Sequence, residues 1–216
     1  MLKKEIIWRE ILVQARLNKK IKFTQKGLAQ KFNFSLSTVF NALKTPRQNH
    51  CITVEGRFFI LEDYKKLLYL WANERSLKRE IIYQGKSEKN ILELESEIPN
   101  EVTFGFYSAY KFLYKDAPAD YDHLYLYSNT KDLDKLIQRL PLVPKPYSSN
   151  NIFILKKDPW MKFYFEQSEK KGSAEQSEAG SYKESIVIEQ IFVDIWNSGE
   201  WYAKDFLKNL EEKLNL

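Results

Sequence analysis

The sequence predicts an α+β protein of two domains, the first mainly helical and the second a mixture of strands and helices. The chain has 216 residues, room for two domains of about 100 residues each. Apolar side chains follow a helical period through most of the first 80 residues. Beyond residue 90, short β-type runs alternate with helical ones, as expected for a mixed α/β domain.

The chain begins with two predicted helices. Residues 5–17 space their apolar side chains as an amphipathic helix of about three turns does. A short extended piece over 20–23 follows. Thr24 is a favourable N-cap, and the run 24–33 predicts a second helix behind it.

A third helix is predicted over 35–45, beginning at the N-cap Ser35. Proline removes a backbone donor and clashes with the preceding turn, so Pro46 is expected to stop this helix. Its inward positions are expected to be Leu36, Val39, Phe40 and Leu43.

Two β-type runs, 51–54 and 57–61, flank Glu55-Gly56 and predict a tight hairpin. Asp63 then caps a fourth helix over 64–77. Helix, short strand, helix, turn, helix and hairpin is the plan of a winged helix-turn-helix, which we expect over residues 1–83. The fold class is therefore α+β: an N-terminal winged helix-turn-helix followed by a mixed α/β C-terminal domain.

The polar stretch 84–90 is expected to be a linker, and 91–216 the C-terminal domain. Within it, 168–185 has almost no apolar side chain, so we expect a flexible insertion there. The predicted helices lie at 91–97, 107–115, 131–140 and 186–214, the last broken at 197–199, and the predicted strands at 101–106, 123–128, 151–157 and 160–167.

Charge divides the chain unevenly. Residues 1–89 carry 19 Lys+Arg and 8 Asp+Glu, whereas 90–216 carry 15 and 21. The basic half suits a polyanion such as DNA. No run is apolar enough for a signal peptide or a membrane span, so we expect a cytoplasmic protein with no membrane partner. The single cysteine, Cys51, fits a reducing compartment and a small buried side chain.

In a helix-turn-helix the second helix enters the major groove of DNA, so the third helix here should supply the contacts. Small polar side chains on its outward face suit base edges, and lysine and arginine suit phosphates. No outward arginine falls within 35–45, so guanine recognition is not predicted there. The expected DNA-binding residues are Thr24, Lys26, Ser35, Ser37, Thr38, Asn41, Lys44, Arg47 and, at the hairpin turn, Arg57.

An enzyme is the weaker hypothesis. Asp120 and Asp122 could hold a metal ion for nucleotidyl transfer only if Asp158 or Glu166 joined them. The only histidines, His50 and His123, are far apart and have no cysteine partners. We therefore predict no catalytic residue, no metal site and no cofactor.

A ligand-responsive regulator is the other alternative, and it would need a deep apolar pocket in the second domain. The aromatic residues that could line such a pocket fall at helical and strand spacing, which favours a structural core. They are Phe104, Phe106, Tyr107, Tyr110, Phe112 and Tyr114.

Three segments of the second half together resemble a known family. They are 106–128 (FYSAYKFLYKDAPADYDHLYLYS), 190–196 (QIFVDIW) and 201–207 (WYAKDFL). A helix of the form Gln-x-aromatic-x-Asp-aliphatic, a short loop and a terminal helix with Ala and Leu are similar to the C-terminal domain of AbiEi antitoxins. Those are antitoxins of type IV toxin–antitoxin systems, and they also carry an N-terminal winged helix.

The resemblance implies a transcriptional regulator that binds its own operator and represses its operon. It also implies a functional pairing with a nucleotidyltransferase toxin encoded alongside, without a stable complex between the two. The acidic second half lacks the basic surface that some members use on DNA. Whether the chain binds DNA as a homodimer is open at this point. It is also open whether Gln190 and Asp194 have a special role or belong to an ordinary helix face.

Overall fold

A computed structural model describes residues 1–99, 102–143, 150–161, 163–164 and 186–216. The chain divides into two compact units, an N-terminal unit, Met1–Arg75, and a C-terminal unit, Ser76–Asn215. Each unit combines helices with one small sheet, so the predicted α+β class is confirmed. No helix in these ranges is both long and apolar enough to cross a membrane.

The N-terminal unit has four helices and a three-stranded antiparallel sheet in the order β1-β3-β2. The predicted N-caps form, because the side chains of Thr24, Ser35 and Asp63 each accept a backbone N–H of the helix that follows. The elements are α1 (Lys3–Asn18), β1 (Lys22–Phe23), α2 (Gln25–Phe32), α3 (Leu36–Gln48), β2 (Ile52–Glu55), β3 (Phe58–Leu61) and α4 (Tyr64–Glu74).

The hairpin of β2 and β3 turns one residue later than predicted. Glu55 pairs with Phe58, which leaves Gly56 and Arg57 as the turn. Gly56 has φ +58°, a left-handed conformation that glycine adopts without steric cost. The turn therefore lifts Arg57 into solvent at the tip of the hairpin.

Helix α1 forms the centre of the N-terminal core, and its residues 5–13 are all buried. It packs against α3 and α4. Burial of a helix on all sides also encloses its charged residues. Glu5 lies 3.6 Å from the guanidinium of Arg75, and both side chains are almost wholly buried.

The predicted inward face of α3 is partly wrong. Val39 and Leu43 are buried as expected, but Leu36 and Phe40 are exposed. Ala42 and Pro46 take their places, so the buried stripe follows the spacing i, i+3, i+4, i+7. Leu36 and Phe40 lie beside this stripe. The sequence of α3 therefore has two apolar faces, and only one of them packs against α1.

Pro46 does not stop α3, contrary to the prediction, and the helix continues to Gln48. A proline leaves the carbonyl four residues earlier without its helical donor. That carbonyl belongs to Ala42, and it accepts a 2.8 Å hydrogen bond from the indole Nε1 of Trp8. A tertiary contact thus replaces the missing helical bond. The extension brings Arg47, which was expected beyond the end of the helix, onto the exposed side of α3.

The C-terminal unit is built on a four-stranded sheet in the order β4-β7-β6-β5, in which β6 and β7 run parallel and the outer pairs antiparallel. Its described elements are β4 (Ile81–Gly85), α5 (Ile91–Glu97), β5 (Thr103–Phe104), α6 (Phe106–Tyr114), β6 (Leu124–Ser128), α7 (Leu133–Arg139), β7 (Ile152–Lys156), α8 (Ile188–Trp196) and α9 (Ala203–Leu214), with short 3-10 turns at Leu77–Arg79 and Thr130–Asp132.

The predicted boundary near residue 83 and the linker over 84–90 are both corrected. Ile81–Gly85 forms β4, which pairs antiparallel with β7, so the second unit begins at Ser76. The polar stretch that follows is also anchored: Asn151 Oδ1 accepts the buried backbone N–H of Ser87 at 2.9 Å. The polar composition of 84–90 therefore indicates a loop inside the second unit and not a linker between the two units.

Other predictions for the second half hold with shifted ends. The helical stretch from 186 is broken near 197–199 as expected, giving α8 and α9. The strand predicted over 101–106 shrinks to β5 because Phe106 already begins α6. The strand predicted over 160–167 is wrong where these residues are described: Trp160 and Met161 lie in a turn and Phe163 and Tyr164 are helical, because their backbone N–H groups bond to carbonyls three residues earlier instead of to a neighbouring strand. Glu166 and the whole insertion 168–185 lie outside the described residues.

Candidate nucleic-acid interface

Helix α3 presents one continuous side to solvent, which we call the open face of α3. Its residues recur at spacings of three or four, so they line up along the helix. The face combines two apolar side chains, two cations and three small or amide side chains. Its members are Leu36, Ser37, Phe40, Asn41, Lys44, Arg47 and Gln48.

The hydroxyl groups predicted to bind DNA also stabilise helix ends. Ser35 caps α3 by accepting the N–H of Thr38 at 3.1 Å, and its hydroxyl lies 2.9 Å from those of Ser37 and Thr38. Thr24 caps α2 by accepting the N–H of Gly27 at 3.0 Å. Thr38 is half-buried, whereas Ser35, Ser37 and Thr24 are exposed. This local network fixes the hydroxyls at the beginning of α3.

The predicted cations are exposed on different elements: Lys26 on α2, Lys44 and Arg47 on α3, and Arg57 on the hairpin turn. Among the described residues, no carboxylate pairs with any of these four. Lys31 differs, because its ammonium group lies 2.5 Å from the buried carboxylate of Glu10. An unpaired surface cation is available to a phosphate, whereas a paired one must first lose its partner.

A long acid-free stretch surrounds the open face of α3. Between Glu10 and Glu55 the sequence contains no Asp or Glu. This stretch includes the last turns of α1, the whole of β1, α2 and α3, and most of β2. A uniformly positive segment of this kind attracts a polyanion and repels cations. Its eight basic residues are Arg16, Lys19, Lys20, Lys22, Lys26, Lys31, Lys44 and Arg47.

The carboxylates considered for metal chemistry lie on different parts of the C-terminal unit. Asp120 is exposed, and Asp158 is buried with its Oδ1 accepting the N–H of Trp160 at 3.1 Å. Within the described ranges, no group of three His, Cys, Asp or Glu side chains is arranged to hold a metal ion. Glu166 lies outside those ranges.

Asp122 instead joins a polar cluster that the sequence analysis missed. Its Oδ1 lies 2.6 Å from His123 Nδ1 and accepts a 3.0 Å hydrogen bond from the hydroxyl of Tyr202. Glu200 lies 3.6 Å from the other ring nitrogen of the histidine. Burial raises the pKa of Tyr202, and the bond to Asp122 raises it further. Tyr202 thus remains a neutral donor that links α9 to the start of β6.

Burial of Asp122 by itself would raise its pKa, but the hydrogen bonds from His123 and Tyr202 outweigh it and lower the pKa. The carboxylate is therefore held in its charged form, although most of its side chain is exposed. The signal available in the sequence was only the adjacent pair Asp122-His123. Their contact with Tyr202 joins residues 79 or 80 positions apart.

The aromatic residues proposed as core are buried in the main. Phe104, Phe106, Tyr107 and Tyr110 are fully buried, while Phe112 and Tyr114 are half-buried.

A cavity of about 270 Å³ lies at the end of β6. This volume is just below the roughly 300–1,000 Å³ of typical ligand pockets. Its lining is largely polar or charged: Pro99, Val102, Ser128, Asn129, Asp132, Lys135, Leu136 and Arg139.

The three segments that carry the family resemblance meet in the C-terminal unit. The hydroxyl of Tyr127 donates a 2.5 Å hydrogen bond to the buried carboxylate of Asp194. Tyr107 packs edge-on against Phe206, with ring centroids 4.8 Å apart. The first segment therefore contacts both of the others. Gln190 and Asp194 are buried on α8, which gives Asp194 a structural role.

Compared with known proteins, the chain matches no protein family, no curated protein and no solved structure. The resemblance to AbiEi antitoxins therefore stays a prediction.

Proposed function

We propose that this chain is a sequence-specific, double-stranded DNA-binding transcriptional regulator, and that its N-terminal unit is a winged helix. The order α1, β1, α2, α3 and the β2–β3 hairpin supports this, because it is the order of a winged helix-turn-helix. In that arrangement α3 is the recognition helix and Arg57 lies at the tip of the wing.

One observation carries the proposal. The exposed side of α3 combines Asn41, Lys44 and Arg47 within a stretch of chain that holds no acidic residue. Asparagine can form two hydrogen bonds with adenine, and the cations suit phosphates. The hydroxyl-bearing residues Ser35, Ser37 and Thr38 lie together at the beginning of the helix, and such side chains are among those that bind phosphates or base edges.

The test is a salt titration of DNA binding by the full chain. We expect the logarithm of affinity to fall linearly with the logarithm of salt concentration, with a slope equivalent to several phosphates. Combining Lys44→Glu with Arg57→Glu should lower affinity at least tenfold and flatten that slope. The matched control reverses two exposed lysines of α9, Lys204→Glu with Lys208→Glu. Equal effects of the two double variants would refute the proposed groove contact.

We propose further that the regulator acts as an AbiEi-like antitoxin that represses its own operon. The three segments that carry the resemblance meet in one core, which supports this proposal. This proposal predicts that a nucleotidyltransferase is encoded beside this chain, and the test is co-expression of the two proteins. Relief of toxicity without co-purification of the two proteins is the expected result, and no relief would contradict the antitoxin role.

A further inference from the structure

Two large apolar side chains stand on the open face of α3, where the amphipathic pattern expects them to be buried. Leu36 is 56% exposed and Phe40 is 49% exposed. The buried stripe of α3 is already complete without them, because Val39, Leu43 and Pro46 fill it. Single exposed apolar side chains are common, but two that lie one turn apart on the same exposed face form a small patch suited to a contact that the isolated chain does not make.

Charge identifies the kind of partner. The Lys44 ammonium group lies 5.4 Å from the centroid of the Phe40 ring, and Arg47 follows within the next two turns of the same helix. Any surface that covers Phe40 must therefore meet positive charge, with no acidic side chain between residues 10 and 55 to offset it. A polyanion with apolar groups at its accessible edges fits this combination. The major groove of DNA has both, since thymine places its 5-methyl group there.

We infer that Phe40 contacts the 5-methyl group of thymine in the major groove, while the adjacent Asn41 pairs with adenine. The inference rests on the proposed function. An A·T base pair presents both features on one groove edge, the methyl group of thymine and the N6 and N7 atoms of adenine. Phe40 and Asn41 are neighbours on the exposed side of α3, so one short stretch of helix carries both complementary groups. Phe40 is thus a specificity-determining residue, and A·T pairs are its target.

The experiment uses the purified full chain. Duplexes are first enriched from a random-sequence DNA library, and each enriched duplex is then made with thymine or with uracil, which lacks only the 5-methyl group. Affinity for the two forms is measured for the wild type, Phe40→Ala and Ile21→Ala. Ile21 is a suitable control because it is apolar and 52% exposed but lies outside α3. Circular dichroism checks that each variant is folded.

We expect enriched duplexes to share A·T pairs, and uracil to weaken wild-type binding about fourfold for each methyl group contacted, since one buried carbon contributes about 0.8 kcal/mol. Phe40→Ala should bind thymine and uracil duplexes equally, whereas Ile21→Ala should behave as the wild type. If Phe40→Ala does not fold, equal affinity of the wild type for thymine and uracil duplexes still overturns the inference.

Three contrary outcomes are distinguishable. Enriched duplexes that bind equally well with uracil would overturn the role of Phe40 and leave DNA binding intact. No enrichment, together with an affinity that does not depend on salt, would overturn the proposed function itself. A change in oligomeric state on Phe40→Ala, with the thymine preference unchanged, would instead assign Phe40 to a protein contact and overturn the inference.

Discussion

The indole nitrogen of Trp8 donates a 2.8 Å hydrogen bond to the carbonyl oxygen of Ala42, the group that Pro46 leaves without a helical donor. This bond connects α1 to the helix that carries the proposed DNA-binding face. Trp8 is fully buried and Ala42 nearly so, which means that water cannot replace the indole as the donor to this carbonyl. The last turn of α3, and with it Arg47, therefore depends on a residue far away in the sequence.

Substitution of Trp8 should show this dependence. Trp8→Phe removes the donor and part of the core volume, and should destabilise the protein by about 3 kcal/mol or more. Pro46→Ala supplies a backbone N–H for the same carbonyl. We therefore expect Trp8→Phe to cost about 1–2 kcal/mol less in the Pro46→Ala background. Equilibrium urea denaturation of the four proteins, followed by circular dichroism, measures this coupling. Strictly additive costs would show that the hydrogen bond does not compensate for the proline.

Local signals predicted the N-terminal elements well because each signal acts within a few residues. The caps Thr24, Ser35 and Asp63 each bind a backbone N–H three residues later. What the sequence could not supply was the outcome of distant contacts. Pro46 is tolerated because of Trp8, and β4 exists because residue 81 pairs with residue 155.

In the candidate site, too, local signals predicted some features, while others depend on distant contacts. The exposed positions of Asn41 and Lys44 followed from helical periodicity, and the structure agrees with both. The exposure of Leu36 and Phe40 depends on which of two apolar faces packs against α1, and propensity alone does not choose between them. The two apolar residues of the open face were therefore the ones that periodicity assigned to the core.

Lys44 and Lys31 should differ in their contribution to DNA binding. Lys44 has no carboxylate partner among the described residues, whereas Lys31 is paired with Glu10. Lys44→Ala should therefore reduce the salt slope of DNA affinity by about one, the value for one lost phosphate contact. Lys31→Ala removes the same formal charge and should change the slope less. Salt titrations by fluorescence anisotropy measure both. Equal slopes for the two variants would indicate a general charge effect rather than a specific phosphate contact.

The thiol of Cys51 should react slowly in the folded protein. The side chain is fully buried, and burial raises its pKa from 9.0 to about 11. At pH 9 a pKa near 11 leaves roughly fiftyfold less thiolate than in the unfolded chain, which sets a lower limit on the protection. Because Cys51 is the only cysteine, its alkylation by iodoacetamide can be followed without ambiguity. Mass spectrometry of native and urea-treated protein compares the rates, and similar rates would contradict the burial.

The raised pKa of Cys51 also sets the direction of a pH effect on stability. Above pH 9 the unfolded chain loses the thiol proton, whereas the folded protein keeps it up to about pH 11. The unfolded state then binds fewer protons, so stability must fall as the pH rises through this window. Cys51→Ala should lose that component of the decline. The comparison is the urea midpoint of the two proteins at pH 8 and pH 10, and parallel declines would contradict the assignment.

The bond between Tyr127 and Asp194 should stabilise the C-terminal unit without affecting DNA binding. The hydroxyl of Tyr127 donates to the fully buried side chain of Asp194, and a buried polar group left without its partner costs about 1–3 kcal/mol. Tyr127→Phe should lower stability by that amount, because Asp194 then loses a donor it cannot replace with water. Tyr125→Phe is the matched control, since Tyr125 is a buried tyrosine of the same strand that packs by stacking on Phe153. Urea denaturation measures stability, and DNA affinity measured on the same samples should stay within a factor of two. Equal costs for the two variants would mean that the buried carboxylate does not depend on this hydroxyl.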